Sequence, residues 1–121
     1  MIDHLGLEVA DLQRSARFYD AIFFPLGVRR MFESDGAIAW GVNDARFWIT
    51  ARGNPPQTTF GHVAFEASGK AAVDAAYEAG LQAGGRSDGP PGPRRQYGLR
   101  YYAAYLLDPD GCRIEVVSGS R

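Results

Sequence analysis

Three side chains in this 121-residue sequence could together hold a metal ion: His4, His62 and Glu115. The chain carries only two histidines, and both stand in short alternating runs. In residues 2–9 the positions Leu5, Leu7 and Val9 are apolar, while His4, Gly6 and Glu8 face the other way. Residues 60–67 repeat the pattern, with Val63 and Phe65 on one side and His62, Ala64 and Glu66 on the other. Residues 112–117 place Ile114 and Val116 on one face and Arg113, Glu115 and Val117 opposite. Two imidazoles and a carboxylate, from three strands with the same facing, predict a three-ligand site for a divalent ion. Imidazole suits zinc, iron, nickel and manganese, and three protein ligands leave positions open for water or substrate. Taken singly, a strand histidine is more often structural and a glutamate in a terminal strand is more often solvated. What favours the metal reading is that both histidines fall at the same place in a repeat.

The repeat appears when residues 2–27 are laid over residues 60–85, an offset of 58. His4 then meets His62, Glu8 meets Glu66, Tyr19 meets Tyr77, Ala21 meets Ala79 and Gly27 meets Gly85. An offset of 67 puts Arg46-Phe47-Trp48-Ile49 on Arg113-Ile114-Glu115-Val116, so nine extra residues belong to the second copy, in the Gly/Pro-rich stretch 84–98. Each copy reads strand, helix, then three strands. The predicted fold is α+β: two tandem βαβββ modules, about 1–52 and 58–119, within one domain spanning 1–121. Packing each strand's apolar face on its helix leaves an opposite, concave face. The modules join near Arg52-Gly53-Asn54-Pro55-Pro56. The first helix, 11–24, offers Asp11 as N-cap and a stripe of Leu12, Ala16, Tyr19 and Phe23. The second, 70–83, offers Val73, Ala76, Tyr77 and Leu81, and glycine closes each helix. Asp108-Pro109-Asp110-Gly111 is a tight turn between the last two strands. By the same offset Glu115's counterpart is Trp48, which has no lone pair for a metal, so Trp48 is expected to be an apolar wall beside the ligands.

Bulk composition narrows the partners. Thirteen basic and fourteen acidic side chains leave a formal charge of −1, which argues against nucleic acid or an anionic membrane bound through bulk charge. No apolar run is long enough to span a bilayer, and patterned sequence begins at the first residues with no signal-peptide character. The single cysteine, Cys112, excludes an intramolecular disulfide and fits a reducing, cytoplasmic setting. With no histidine near it in sequence, Cys112 is expected to be inert.

These residues resemble a known family over nearly the whole length. Ile2-Asp3-His4-Leu5, Ala10-Asp11-Leu12, Phe18-Tyr19, Gly61-His62-Val63-Ala64-Phe65 and, most specifically, Leu107-Asp108-Pro109-Asp110-Gly111-Cys112-Arg113-Ile114-Glu115 are similar to the vicinal oxygen chelate superfamily. That group includes glyoxalase I, extradiol dioxygenases, fosfomycin-modifying enzymes and bleomycin-binding proteins. The resemblance implies a metal on His4, His62 and Glu115 that chelates two vicinal oxygens of a small substrate, in a lyase, isomerase or dioxygenase type of reaction. It also implies mixed sheets curled into a half-barrel with helices on the convex face. A homodimer is implied too, in which the two histidines of one site can come from different protomers. Glu115 and Tyr105 are the candidate catalytic groups, and Trp48, Tyr105 and Arg113 the candidate substrate contacts. Arg113 is read chiefly as half of an ion pair. Arg94-Arg95, beside Gly89-Pro90-Pro91-Gly92-Pro93, is read as a solvated loop with a lid as the alternative. Glu8 stands where glutathione-dependent glyoxalases carry a basic residue, which argues against that activity. The alternative function is a metal-free small-molecule binding or sequestration protein of the bleomycin-resistance type.

Overall fold

The alternating runs become strands, and the apolar stripes become the helix faces laid against them. In the computed structural model, which describes residues 1–55 and 61–121, strand β1 (Leu5–Glu8) leads into helix α1 (Leu12–Phe23). Asp11 has extended backbone and accepts the Arg14 amide at 2.9 Å, satisfying one of the unpaired N–H groups of the first turn. Leu12, Ala16, Tyr19 and Phe23 are buried as the stripe predicts, together with Ser15, Phe18 and Ile22. A 3₁₀ turn, Phe24–Leu26, ends at Gly27 in the left-handed region. Strands β2 (Arg29–Glu33), β3 (Ala37–Gly41) and β4 (Phe47–Thr50) complete a sheet of order β1-β4-β3-β2. β1 runs parallel to β4 and the remaining pairs are antiparallel.

The second half repeats this plan. Strand β5 (His62–Glu66), helix α2 (Lys70–Gln82) and strands β6 (Arg86–Pro93), β7 (Tyr102–Leu107) and β8 (Arg113–Ser118) form a sheet of order β5-β8-β7-β6, again with the outer pair β5 and β8 parallel. The fold is therefore the expected α+β pair of βαβββ modules, drawn as two four-stranded mixed sheets that are not closed into a barrel. Pro56 of the expected junction and Phe60 of the second alternating run lie outside the described residues.

One expectation is corrected. The Gly/Pro-rich segment is not a free loop over 89–93, because Arg86–Pro93 pairs with β7 as an edge strand. Proline is tolerated at an edge, where no second neighbour needs its N–H, and the register slips on both sides of Gly89. No helix among the described residues is long and apolar enough to cross a membrane.

The core lies between the helices and the inner faces of both sheets. Its centre is aromatic: Tyr19, Phe23, Trp40 and Phe47 from the first half meet Phe65 of β5. Phe65 packs edge-on against Phe23 at 4.8 Å and Phe47 at 5.1 Å between ring centres. The turn between β7 and β8 adds a polar tie across the halves. Gly111 takes φ +90° and its N–H donates to the Asp108 carbonyl, as the turn signature predicts. The two aspartates do more than turn the chain. Asp108 accepts the Tyr19 hydroxyl at 2.5 Å and the Asp110 and Cys112 amides at 2.9 Å. Asp110 accepts the Ala10 amide at 3.1 Å and pairs with Arg14 at 2.6 Å.

Candidate functional site

Register fixes which residues share a face. β1 places Gly6 beside Trp48 of β4, and β5 places Ala64 beside Glu115 of β8. One strand further in, Trp48 faces Ala39 and Glu115 faces Tyr105. Trp48 and Glu115 are thus equivalent positions in the two sheets, as the offset of 67 requires, and Ala39 and Tyr105 are equivalent in turn.

On the second sheet these positions make a polar cluster. His62 Nε2 lies 2.9 Å from Glu115 Oε1, and the Tyr101 hydroxyl donates to Glu115 Oε2 at 2.5 Å. Glu115 is 1% exposed, so both oxygens of a buried carboxylate are occupied, as a buried charge requires. The Tyr105 ring lies 6.1 Å from the His62 ring, and the Arg113 guanidinium sits 4.0 Å over its face. Arg113 Nε also donates to Asp88 at 2.7 Å, the ion pair expected of it. Burial holds the Tyr101 hydroxyl well above the ordinary phenol range, and its bond to the charged Glu115 adds to this. Tyr105 is raised by burial and then by the Glu115 charge. Cys112 is buried, and burial pushes its thiol up to about 11, which disfavours the thiolate form.

On the first sheet the equivalent face is aromatic and small. Trp48 packs 5.2 Å from Phe32, beside Gly6 and Ala39. His4, Gly6, Glu8, Trp48, Thr50 and Arg52 line a groove of about 330 Å³. His4 is exposed and its Nδ1 lies 2.8 Å from Asp3 Oδ1, a bond that lowers the Asp3 carboxyl. Glu8 accepts Asn54 Nδ2 at 2.8 and 2.9 Å and Arg52 Nε at 3.1 Å, and the Asn54 bonds chiefly hold it below the ordinary carboxylate range.

The chain therefore brings His62 and Glu115 together with Tyr105 and Arg113, and puts His4, just ahead of β1, in a groove with Trp48 of the other sheet. Among the described residues no three His, Cys, Asp or Glu side chains gather at metal-binding spacing. The donor pair itself suits a cation. Imidazole nitrogen and carboxylate oxygen are both ligand types for a divalent ion, and here they bond directly to each other at 2.9 Å. Sequence reasoning missed Tyr101 and Asp88. Tyr101 lies just before β7 and outside any alternating pattern, and Asp88 lies in the segment expected to be a loop.

Comparisons with known proteins place the chain. The sequence model of the Glyoxalase/Bleomycin resistance protein/Dioxygenase superfamily matches residues 1–116. No curated protein matches the chain. A glyoxalase/bleomycin resistance protein from Albidiferax ferrireducens is 32% identical, with 96% of each chain covered and a TM-score of 0.85. Two more distant structures share the fold. A glyoxalase-related enzyme from Fulvimarina pelagi is 21% identical, with 98% of this chain and 88% of that one covered and a TM-score of 0.78. Fosfomycin resistance protein FosX from Mesorhizobium loti is 23% identical, with 98% and 92% covered and a TM-score of 0.73. The chain belongs to the Glyoxalase/Bleomycin resistance protein/Dioxygenase superfamily.

Proposed function

We propose that this superfamily member is a metalloenzyme acting on a small molecule with two vicinal oxygens, through a divalent ion held by His62 and Glu115 of one chain and His4 of a second copy. The observation that carries this reading is the His62–Glu115 pair, 2.9 Å apart on adjacent strands and backed by the Tyr101 hydroxyl. A divalent ion there would supply Lewis acidity to the substrate oxygens. The protein's own groups do the rest. Tyr101 occupies Oε2 of Glu115, so Oε1 is the oxygen turned to His62 and the cup. Arg113 stacked on Tyr105 fixes the cup wall next to His62. From the partner, Trp48 with Phe32 would wall off water, as a low-dielectric site for a developing oxyanion requires.

A homodimer follows from the same reading. His4 and Trp48 sit on one sheet and His62 and Glu115 on the other, so a second copy is what brings the third ligand. Exposed Phe32 and Met31 on edge strand β2 give that copy apolar surface to cover. Glu8 on the open face of the first sheet, already held by Asn54 and Arg52, speaks against a glutathione substrate.

The test is metal analysis of the full chain after loading with zinc, iron, nickel or manganese, together with light scattering. Near one ion per chain, lost in His62→Ala and in His4→Ala, with a dimer in solution, is the expected result. No ion bound by the wild type, and no metal-dependent rise in Tm, would overturn the proposal. One observation favours the metal-free binding reading instead: a cavity of about 300 Å³ beside the aromatic core, lined by Phe23, Trp40, Phe47 and Phe65 together with Asp44 and Arg46. Binding of an apolar ligand that survives chelation would support that reading.

A further inference from the structure

Arg94 follows the last residue of β6, and the proposed chemistry gives it no task. Its backbone N–H donates to the Tyr101 carbonyl at 2.8 Å, which closes the loop that carries the Glu115-bound tyrosine. Its side chain turns back, donating through Nη2 to the Pro90 carbonyl at 2.8 Å. The guanidinium then lies 5.7 Å from the centre of the Tyr105 ring. The two glycines of β6 make room for it. A Cβ at Gly92 would stand 3.2 Å from Arg94 Nη1, and one at Gly89 would stand 3.4 Å from Nη2. Gly89 moreover has φ +148°, a backbone that other residues rarely adopt. The register slips of the edge strand flank Gly89, so the irregularity of β6 and the seating of Arg94 coincide.

Around Tyr105 two arginines stand with two carboxylates, but the direct pairing leaves Arg94 out. Asp88 is taken by Arg113, and Glu115 is taken by His62 and Tyr101. Among the described residues no carboxylate pairs with Arg94, although it is only partly exposed and lies beside a buried ring. A guanidinium held by one carbonyl keeps N–H donors free, in a planar fork that matches two oxygens of an anion. Arg113 has its Nε committed to Asp88, which leaves its terminal nitrogens as a second set of donors over the same ring.

We propose that Arg94, assisted by Arg113, forms an anion subsite over Tyr105, so that the substrate carries a carboxylate or a phosphate-like group in addition to its chelating oxygens. This rests on the reading of the His62–Glu115 cup as the substrate site, and it deepens that reading by naming the substrate class. The subsite consists of this chain's own residues and needs no metal to bind its anion.

The test uses the metal-free full chain, titrated with benzoate, phenylphosphonate and the neutral isostere benzamide. Binding is followed on the arginine Nε–Hε signals by NMR. Saturable shifts of the Arg94 signal by one or both anions, and none by benzamide, are the expected result. Arg94→Gln should weaken that binding by about tenfold or more, and Arg94→Lys, which keeps the charge but not the fork, by less. The exposed neighbour provides the control: Arg95→Gln should change affinity by less than about twofold, as expected for a screened surface charge. Tighter benzoate binding would assign a carboxylate and tighter phenylphosphonate binding a phosphate-like group. No anion binding, benzamide binding as tightly as benzoate, or equal losses at Arg94 and Arg95 would each overturn the subsite. Anion binding that depends on Arg94 in a chain that takes up no metal would leave the subsite standing while the metal proposal fails.

Discussion

The two halves share a strand order and a register but divide the work. The open face of the first sheet carries Gly6, Ala39 and Trp48 where the second carries Ala64, Tyr105 and Glu115. The first is aromatic and small, a surface that excludes water and accepts another body. The second gathers His62, Glu115, Tyr101, Tyr105, Arg113 and Asp88 into a connected polar network. The repeat therefore specifies the scaffold twice and the polar network once. The scaffold rests on alternation and helix stripes, which both halves keep. The polar network rests on single positions such as 115, where a buried carboxylate is tolerated because His62 and Tyr101 occupy both its oxygens.

The sharpest way to break this comparison is to exchange the two equivalent positions. On the proposed metal reading, Glu115→Ala should lower divalent-metal affinity by more than about 100-fold, the loss expected if Glu115 is a direct ligand. Trp48→Ala should change metal affinity by less than about threefold and act on substrate affinity instead. Calorimetric titration of metal into both variants reads the difference. Equal losses would mean that the aromatic half holds the metal as firmly as the polar half.

The second contrast concerns Gly27 and Gly85, a pair by sequence offset, although the left-handed glycine that follows α2 is Gly84 (φ +99°). Gly27 and Gly85 are equivalent under the offset of 58, yet they are needed for different reasons. Gly27 has φ +73° and open space around it, so the backbone requires glycine. At Gly85 a Cβ would stand 2.4 Å from the Phe18 ring and 2.9 Å from the Gly80 carbonyl, so the packing requires glycine. Gly85→Val should cost about 3 kcal/mol of stability through overpacking. Gly27→Ala should cost about 1 kcal/mol through left-handed backbone strain. Denaturant unfolding of both variants checks the order, and a larger loss at Gly27 would reverse the assignment.

Most of the fold was legible because it is carried by periodicity. The strand that begins just after His4, the strands containing His62 and Glu115, the stripe of α1 and the turn at Gly111 all follow from alternation, spacing and glycine. What the sequence hid was carried by long-range geometry. The Gly/Pro-rich segment reads as a loop, and only pairing with β7 makes it a strand. Tyr101 has no periodic signal, and its bond to Glu115 spans a hairpin. The aspartates of the turn announce a turn but not their partners Tyr19 and Arg14, far off in the first half. Candidate ligands were legible by residue type and the repeat put His4 and His62 in separate modules, whereas the direct His62–Glu115 contact required the assembled chain.

The last contrast is one of acid response. Glu8 of the first half is lowered by the Asn54 bonds, so its contribution to stability is present above its unfolded value near 4.5. That contribution is lost as pH falls through its folded value. Asp108 of the second half is raised, chiefly by burial, even though Tyr19 and two backbone amides donate to it. Its native state holds a proton more tightly than the unfolded chain does. Its contribution is therefore greatest below 3.8 and declines as pH rises through the raised value. Glu8→Gln should remove stability gained on going up from acid, and Asp108→Asn should remove stability lost over the range just above 3.8. The two variants should thus tilt the acid limb of a Tm-against-pH curve in opposite directions, by the smallest margins of the effects argued here. A tilt of the same sign in both would show that the Tyr19–Asp108 tie favours the charged carboxylate after all, and that burial there is outweighed by its three donors.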